Sequence, residues 1–192
     1  MARERKFSTD ELYRAVKQLL LEHGYDNFTI SLLAEQLDVS RGTIYKYFEN
    51  KEELLTEFMV REMDLFLLEL KKVEAKRGFV AQFDYILELV FENTDFHQIL
   101  SMASLIPAHL TKKALSNKKR LEQQHFEMYR LLADVIRLGK EEKKLKEHLP
   151  DSVILGFIFQ VIAIPNYFGV PKPQWVASIK EILMHGMFEQ DN

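Results

Sequence analysis

Apolar residues recur at helical spacing along almost the whole chain, and the five prolines sit only where that spacing breaks. Period-3.6 patterning gives each helix an apolar stripe to bury against its neighbours, whereas a sheet needs alternation. Pro107, Pro150, Pro165, Pro171 and Pro173 mark breaks because proline removes a backbone donor and cannot continue a helix. An all-α protein is therefore expected. With 47% hydrophobic residues over 192 positions the chain can bury a sizeable core.

The cap signals place the elements. "STDE" at Ser8–Glu11 is a capping box, in which the serine hydroxyl takes the Glu11 amide and the glutamate reaches back. Leu12, Ala15, Val16, Leu19 and Leu20 follow as one stripe, and Gly24 suits the residue that closes a helix. Thr29 can cap a second helix burying Ile30, Leu33, Ala34 and Leu37. After the break "DVS", Ser40 can cap a third over 41–48, and Asn50 a fourth running to about Lys76. Longer helices are expected near 79–93, 95–106, 117–141, 151–164 and 173–188. The sequence divides near residue 50, along the fourth helix and with no flexible linker, into domains 1–50 and 51–192.

A helix, a short turn and a second short helix make a helix-turn-helix unit. Ala34 is small where two crossing helices must approach, Val39 fills the elbow, and Ile44 and Phe48 point to the shared core. The third helix then carries Arg41, Gly42, Thr43, Tyr45, Lys46 and Tyr47 on its other face. Arg and Lys can bond phosphate or guanine, Thr can bond or touch a thymine methyl, Tyr hydroxyls reach phosphate, and glycine admits close approach. Ser40 and Thr29 can serve as caps and as phosphate contacts at helix starts. The same pattern also fits a solvated three-helix bundle. Charge does not decide the matter: net charge is -3, and residues 1–51 hold eight Lys or Arg against eight Asp or Glu. Any cationic surface must come from gathering basic groups on one face.

The stretch "GYDNFTISLLAEQLDVSRGTIYKYFENKEELL" resembles the DNA-binding region of the TetR family of bacterial transcriptional regulators, over roughly Thr9 to Phe58. The matching positions are Gly24, Tyr25, Thr29, Ile30, Ala34, Val39, Ser40, Gly42, Tyr45, Tyr47, Phe48, Lys51, Glu52 and Leu54, with Tyr47 where many members carry His. The resemblance implies phosphate contacts from Thr29, Tyr45 and Lys51, and base-edge readers in Arg41, Thr43 and Lys46. It places Tyr47 on a phosphate or thymine methyl. It further implies a dimeric repressor of palindromic operator DNA, with an N-terminal helix-turn-helix domain joined by a long helix to a ligand-binding and dimerisation domain. A small hydrophobic or amphipathic effector would tilt the fourth helix and release the operator.

Beyond about residue 60 the resemblance fades. "SVILGFIFQVIAIP" is apolar nearly all round and "PQWVASIKEILMHGMF" is amphipathic, so a homodimer through helices near 151–164 and 173–188 is expected. Phe66, Phe83, Phe91, Met102, Phe126 and Tyr129 are candidates to line a ligand cavity, with Phe79, Tyr85, Phe96 and Met128 beside them. Aromatic and methionine side chains at helical spacing equally suit ordinary core. His97, His109 and His125 form no i, i+4 pair, so no metal is expected, and no cofactor motif is present. "KKALSNKKR" at 112–120 reads as a solvated loop that could attract an anionic ligand. No GxSxG, HExxH or phosphate-binding glycine loop points to an enzyme. The start lacks a signal-peptide stretch and the run Val153–Ile164 is too short to span a bilayer, so a cytoplasmic protein is expected. The competing reading is a helical ligand-binding or adaptor protein without sequence-specific DNA binding.

Overall fold

The computed structural model describes residues 7–107 and 111–187. Among these residues there are nine α-helices and no strand: α1 Thr9–Asn27, α2 Ile30–Gln36, α3 Arg41–Ile44, α4 Lys51–Leu70, α5 Phe79–Glu92, α6 Thr94–Ser101, α7 Lys112–Glu141, α8 Asp151–Gln160 and α9 Lys172–Met187. The all-α expectation holds. By packing, the described residues within 1–65 and 95–124 form one compact unit, and those within 66–94 and 125–192 a second.

Several element ends follow the caps read from sequence. Ser8 Oγ accepts the Glu11 amide at 3.1 Å while Glu11 Oε2 accepts the Ser8 amide at 2.6 Å. Thr29 Oγ1 accepts the Leu32 amide at 3.2 Å, and Asn50 Oδ1 accepts the Glu53 amide at 2.8 Å. Gly24, at φ 71° and ψ 178°, breaks α1 in a conformation that only glycine takes easily, and one further turn ends at Asn27. Ser40 differs from expectation. Its hydroxyl makes no capping bond to α3 and instead lies 3.0 Å from the Thr43 hydroxyl.

Other ends shift because final turns tighten to i→i+3 bonding, which shortens the regular helix. The fourth helix is α-helical only to Leu70 and continues as a 3₁₀ segment, Lys71–Ala75. Similar segments, Met102–Leu105 and Val161–Ala163, follow α6 and α8. The stretch 112–120 is the start of α7 and not a loop, since Thr111 Oγ1 accepts the Ala114 amide at 3.2 Å and opens the helix early.

In the first unit the core comprises Val16, Leu20, Phe28, Leu33, Ile44, Leu54 and Phe58, all fully buried. Polar contacts align α4 with the start of α7. Lys113 Nζ reaches Glu57 at 2.7 Å and buried Glu53 at 3.1 Å, and Arg120 meets Asp64 at 2.7 Å. Gln124 Nε2 donates to the Val60 carbonyl at 3.1 Å and to Asp64 at 2.6 Å. The hydrogen bond to Glu57 is the main reason the Lys113 ammonium titrates above its ordinary range.

The second unit packs around Phe66, Phe79, Phe83, Leu132 and Ile136. Gly139 lets α7 lie against Phe79. A Cβ built there would come within 2.6 Å of the Phe79 ring and 2.8 Å of Leu145. Glu142 Oε2 accepts the first amide of α5, that of Phe79, at 3.0 Å. We expect Gly139→Ala to destabilise the fold by about 1–3 kcal/mol, as overpacked cores do, despite alanine's better helix propensity. Urea unfolding followed by circular dichroism checks this, and an unchanged or raised midpoint would contradict it.

Candidate nucleic-acid interface

A four-residue helix cannot stand alone in water, because nucleation fixes several residues for a single hydrogen bond. α3 is held instead by its apolar side: Ile44 is fully buried and Phe48 is 6% exposed. Each such burial contributes roughly 1.5–3 kcal/mol. Val39 N donates to the Ala34 carbonyl at 2.9 Å, closing the elbow after α2. Ile44 bonds backbone-to-backbone with both Tyr47 and Phe48, so the segment 41–48 forms one tight stub.

Burial inward fixes what faces outward. Arg41, Gly42, Tyr45 and Lys46 are exposed and Thr43 is half-buried. Tyr45 is 53% exposed, a large value for an aromatic ring. The structure thus brings Arg41, Gly42, Thr43, Tyr45 and Lys46 onto one short surface, as the sequence suggested.

Two predicted contact residues are placed differently. Tyr47 is half-buried with its ring edge against buried Phe7, centroids 5.9 Å apart, so part of it belongs to the core. Lys51 donates to the Tyr25 carbonyl at 3.0 Å and the Phe28 carbonyl at 3.4 Å, with its ammonium 4.3 Å from the Tyr25 ring centroid. It caps the end of α1 and keeps one of its three N–H groups for another acceptor. Tyr25 in turn donates to Glu52 at 3.3 Å, and burial, helped by that carboxylate, pushes its hydroxyl up to about 12. The sequence carried no sign of this Lys51–Tyr25–Glu52 tie, since Tyr25 lies 26 and 27 positions before the other two and meets them only in the fold.

The candidate ligand residues separate by burial. Phe66, Phe83 and Phe91 are core side chains, Met102 is half-buried, and Phe126 and Tyr129 are 77% and 48% exposed. Exposure takes Phe126 and Tyr129 out of a cavity lining within the protomer. Of the histidines, His109 lies outside the described residues. His97 sits beside Phe96, and burial lowers it from 6.5 to about 4, so it is neutral near pH 7. No group of three metal-ligating side chains occurs among the described residues.

The fold and this surface define a helix-turn-helix protein on an all-helical scaffold. Residues 12–58 match the family described as "Bacterial regulatory proteins, tetR family". The chain is similar to that family over these residues. An uncharacterised HTH-type transcriptional regulator of Haemophilus influenzae is 35% identical over 63 residues, 33% of this chain and 34% of that protein. HTH-type regulators of Staphylococcus aureus are 22% identical over 98 residues, 48% of this chain and 53% of theirs. The matches therefore span about a third to a half of these relatives. Among solved structures, the ketosteroid transcriptional regulator KstR2 of Mycobacterium tuberculosis superposes with a TM-score of 0.77 at 16% identity, covering 99% of this chain and 98% of that one. The regulator FadR of Bacillus subtilis, solved with stearoyl-CoA, gives 0.64 at 20% identity, covering 93% and 99%. At these identities the likeness is one of fold.

Lys51→Met should lower the urea midpoint together with DNA affinity, because it removes an internal tie. Lys46→Met should leave the midpoint unchanged, weaken DNA binding and reduce the salt slope by about 1. Equal behaviour of the two variants in paired unfolding and anisotropy titrations would contradict the distinction.

Proposed function

We propose that the chain is a ligand-responsive transcriptional regulator, a repressor that binds palindromic operator DNA as a homodimer and is released by a small hydrophobic or amphipathic effector. The observation that carries this reading is the stub 41–48, whose apolar side is buried and whose Arg41, Tyr45 and Lys46 stand in solvent with no internal role. Residues 1–50 serve as the DNA-binding domain and 51–192 as the ligand-binding and dimerisation domain. Arg41, Thr43 and Lys46 read base edges. Thr29, Ser40 and Tyr45 meet phosphates, Gly42 admits the backbone, and Tyr47 and Lys51 contribute whatever their internal contacts leave free. The protein acts as a regulator and not as an enzyme, in the cytoplasm where its operator lies. No helix among the described residues is long and apolar enough to cross a membrane.

A homodimer is supported by the outer face of α8 and α9. Val153, Phe157 and Ile182 are 45%, 60% and 71% exposed there, and the segment after α8 exposes Ile164 as well. Apolar side chains repeated along two neighbouring helices make a face that a second copy can cover isologously. The effector site falls in the larger domain, where Phe66, Phe83 and Phe91 supply apolar surface. KstR2 is described as a ketosteroid regulator and FadR was solved with stearoyl-CoA, so a bulky, largely apolar effector is the class to test first. Such a ligand releases DNA only by binding the non-operator form more tightly than the operator form.

Tyr45→Ala should weaken operator binding roughly tenfold, about 1.4 kcal/mol, with unchanged circular dichroism. Gel-shift titration against an inverted repeat from upstream of the gene tests it, and unaltered affinity would refute the assignment. Affinity for that repeat should also fall steeply with salt, as counterion release requires. Separately, Phe157→Glu should convert a dimer into a folded monomer by sedimentation, and an unshifted dimer would remove α8 from the interface.

A further inference from the structure

Behind the stub 41–48, within the first compact unit, lies a cavity of about 150 Å³ lined by Phe7, Leu12, Tyr13, Tyr47, Phe48 and Glu57. Its walls come from the start of α1, the end of the stub and the second turn of α4. Phe7, Leu12, Tyr13 and Phe48 are buried, and Tyr47 and Glu57 are half-buried, so the enclosure is built largely from core side chains. Close-packed interiors leave few voids larger than a water molecule, and a cavity of this size has room for a benzene-sized guest.

Four of these six side chains are aromatic. Phe7 and Tyr47 meet edge to face, with ring centroids 5.9 Å apart. Two of the rings already attract cations of the chain itself. The Arg61 guanidinium lies 5.0 Å from the Tyr13 ring centroid, and the Lys113 ammonium lies 5.4 Å from that of Phe48. A ring face draws positive charge through its quadrupole, and several rings around one space form the kind of cage that recognises alkylated ammonium groups.

The remaining polar wall is a carboxylate with acceptor capacity to spare. Glu57 Oε1 accepts the Tyr13 hydroxyl at 3.0 Å, and Oε2 meets the Lys113 ammonium at 2.7 Å. A carboxylate offers about four acceptor sites. Lys113 is also shared with Glu53 at 3.1 Å, so two carboxylates have one cation between them and the group keeps net negative charge. An apolar gap alone would take any small hydrocarbon. Rings beside a carboxylate that is only partly neutralised select a cation. A primary ammonium brings three donors that need partners, whereas a fully methylated one brings none and offers the rings an apolar surface.

We propose that this cavity is a binding site for a small quaternary ammonium compound, held between the rings of Phe7, Tyr13, Tyr47 and Phe48 with its charge against Glu57. It is a different site from the Phe66, Phe83 and Phe91 surface proposed for the effector. Its test needs no DNA, so its failure would leave the regulator reading untouched.

Choline chloride is the test ligand, titrated by calorimetry into the full chain against sodium chloride of equal ionic strength. One choline should bind per protomer, saturably. The uncharged isostere with carbon in place of nitrogen should bind roughly tenfold more weakly. Glu57→Gln keeps the shape of the wall, leaves Lys113 with Glu53, and should weaken choline roughly tenfold. Phe7→Leu should weaken it by a similar factor through the loss of one ring. Circular dichroism of both variants should match that of the wild type. On the wild-type chain, the N-methyl protons of bound choline should show nuclear Overhauser contacts to the Tyr13 and Tyr47 rings, a readout that decides the matter even where a variant loses its fold. No saturable binding, equal affinity for the isostere, or choline contacts to other rings only would each overturn the proposal.

Discussion

Everything the N-terminal region offers to a partner depends on two side chains being out of water. Ile44 and Phe48 fasten a helix of four residues, Arg41–Ile44, that has almost no stability of its own. Around them the first unit supplies Leu33 from α2 and Leu54 and Phe58 from α4, each fully buried. The orientation of Arg41, Tyr45 and Lys46 is the reverse side of that burial and not a separate achievement of the sequence. The same anchoring explains why α2 and α3 can be so short: their hydrogen bonds are secured by packing and not by length.

Ionic and polar contacts reinforce this arrangement where the core alone would leave buried charge. Glu53 is 6% exposed, and a carboxylate so placed needs a cation and donors nearby. It receives the Lys113 ammonium at 3.1 Å. Lys51 meets the carbonyls at the end of α1 in the same spirit, countering the negative end of a helix. Both lysines belong to segments that read as outward-facing cations in the sequence, one in a supposed loop and one in a supposed phosphate contact. Partner geometry across 26 and 60 positions decides their role, and linear spacing carries no trace of it.

Much of the fold was legible because caps and periodicity are local. The Ser8–Glu11 box, the Thr29 and Asn50 caps and the glycine break at Gly24 are set by neighbours within four residues, and they stand where the sequence put them. Endings were less legible. Whether a helix finishes as α or tightens to 3₁₀, as at Lys71–Ala75, depends on what packs against the last turn. The outward set Arg41, Thr43, Tyr45 and Lys46 was readable because inward and outward alternate with the helical period. Tyr47 was not, since its contact with Phe7 comes from a segment 40 positions earlier. Phe126 and Tyr129 look like core by composition, yet they are exposed.

The way α3 is fastened has an evolutionary corollary. Since its attachment uses Ile44 and Phe48, with Tyr47 against Phe7, exchanges at the exposed positions 41, 45 and 46 remove no buried side chain and cost the fold little. On the proposed assignment of Arg41 and Lys46 to base edges, a lineage could sample new target sequences through those two sites while its scaffold stayed intact, so that divergence in what is recognised need not wait for compensating change elsewhere.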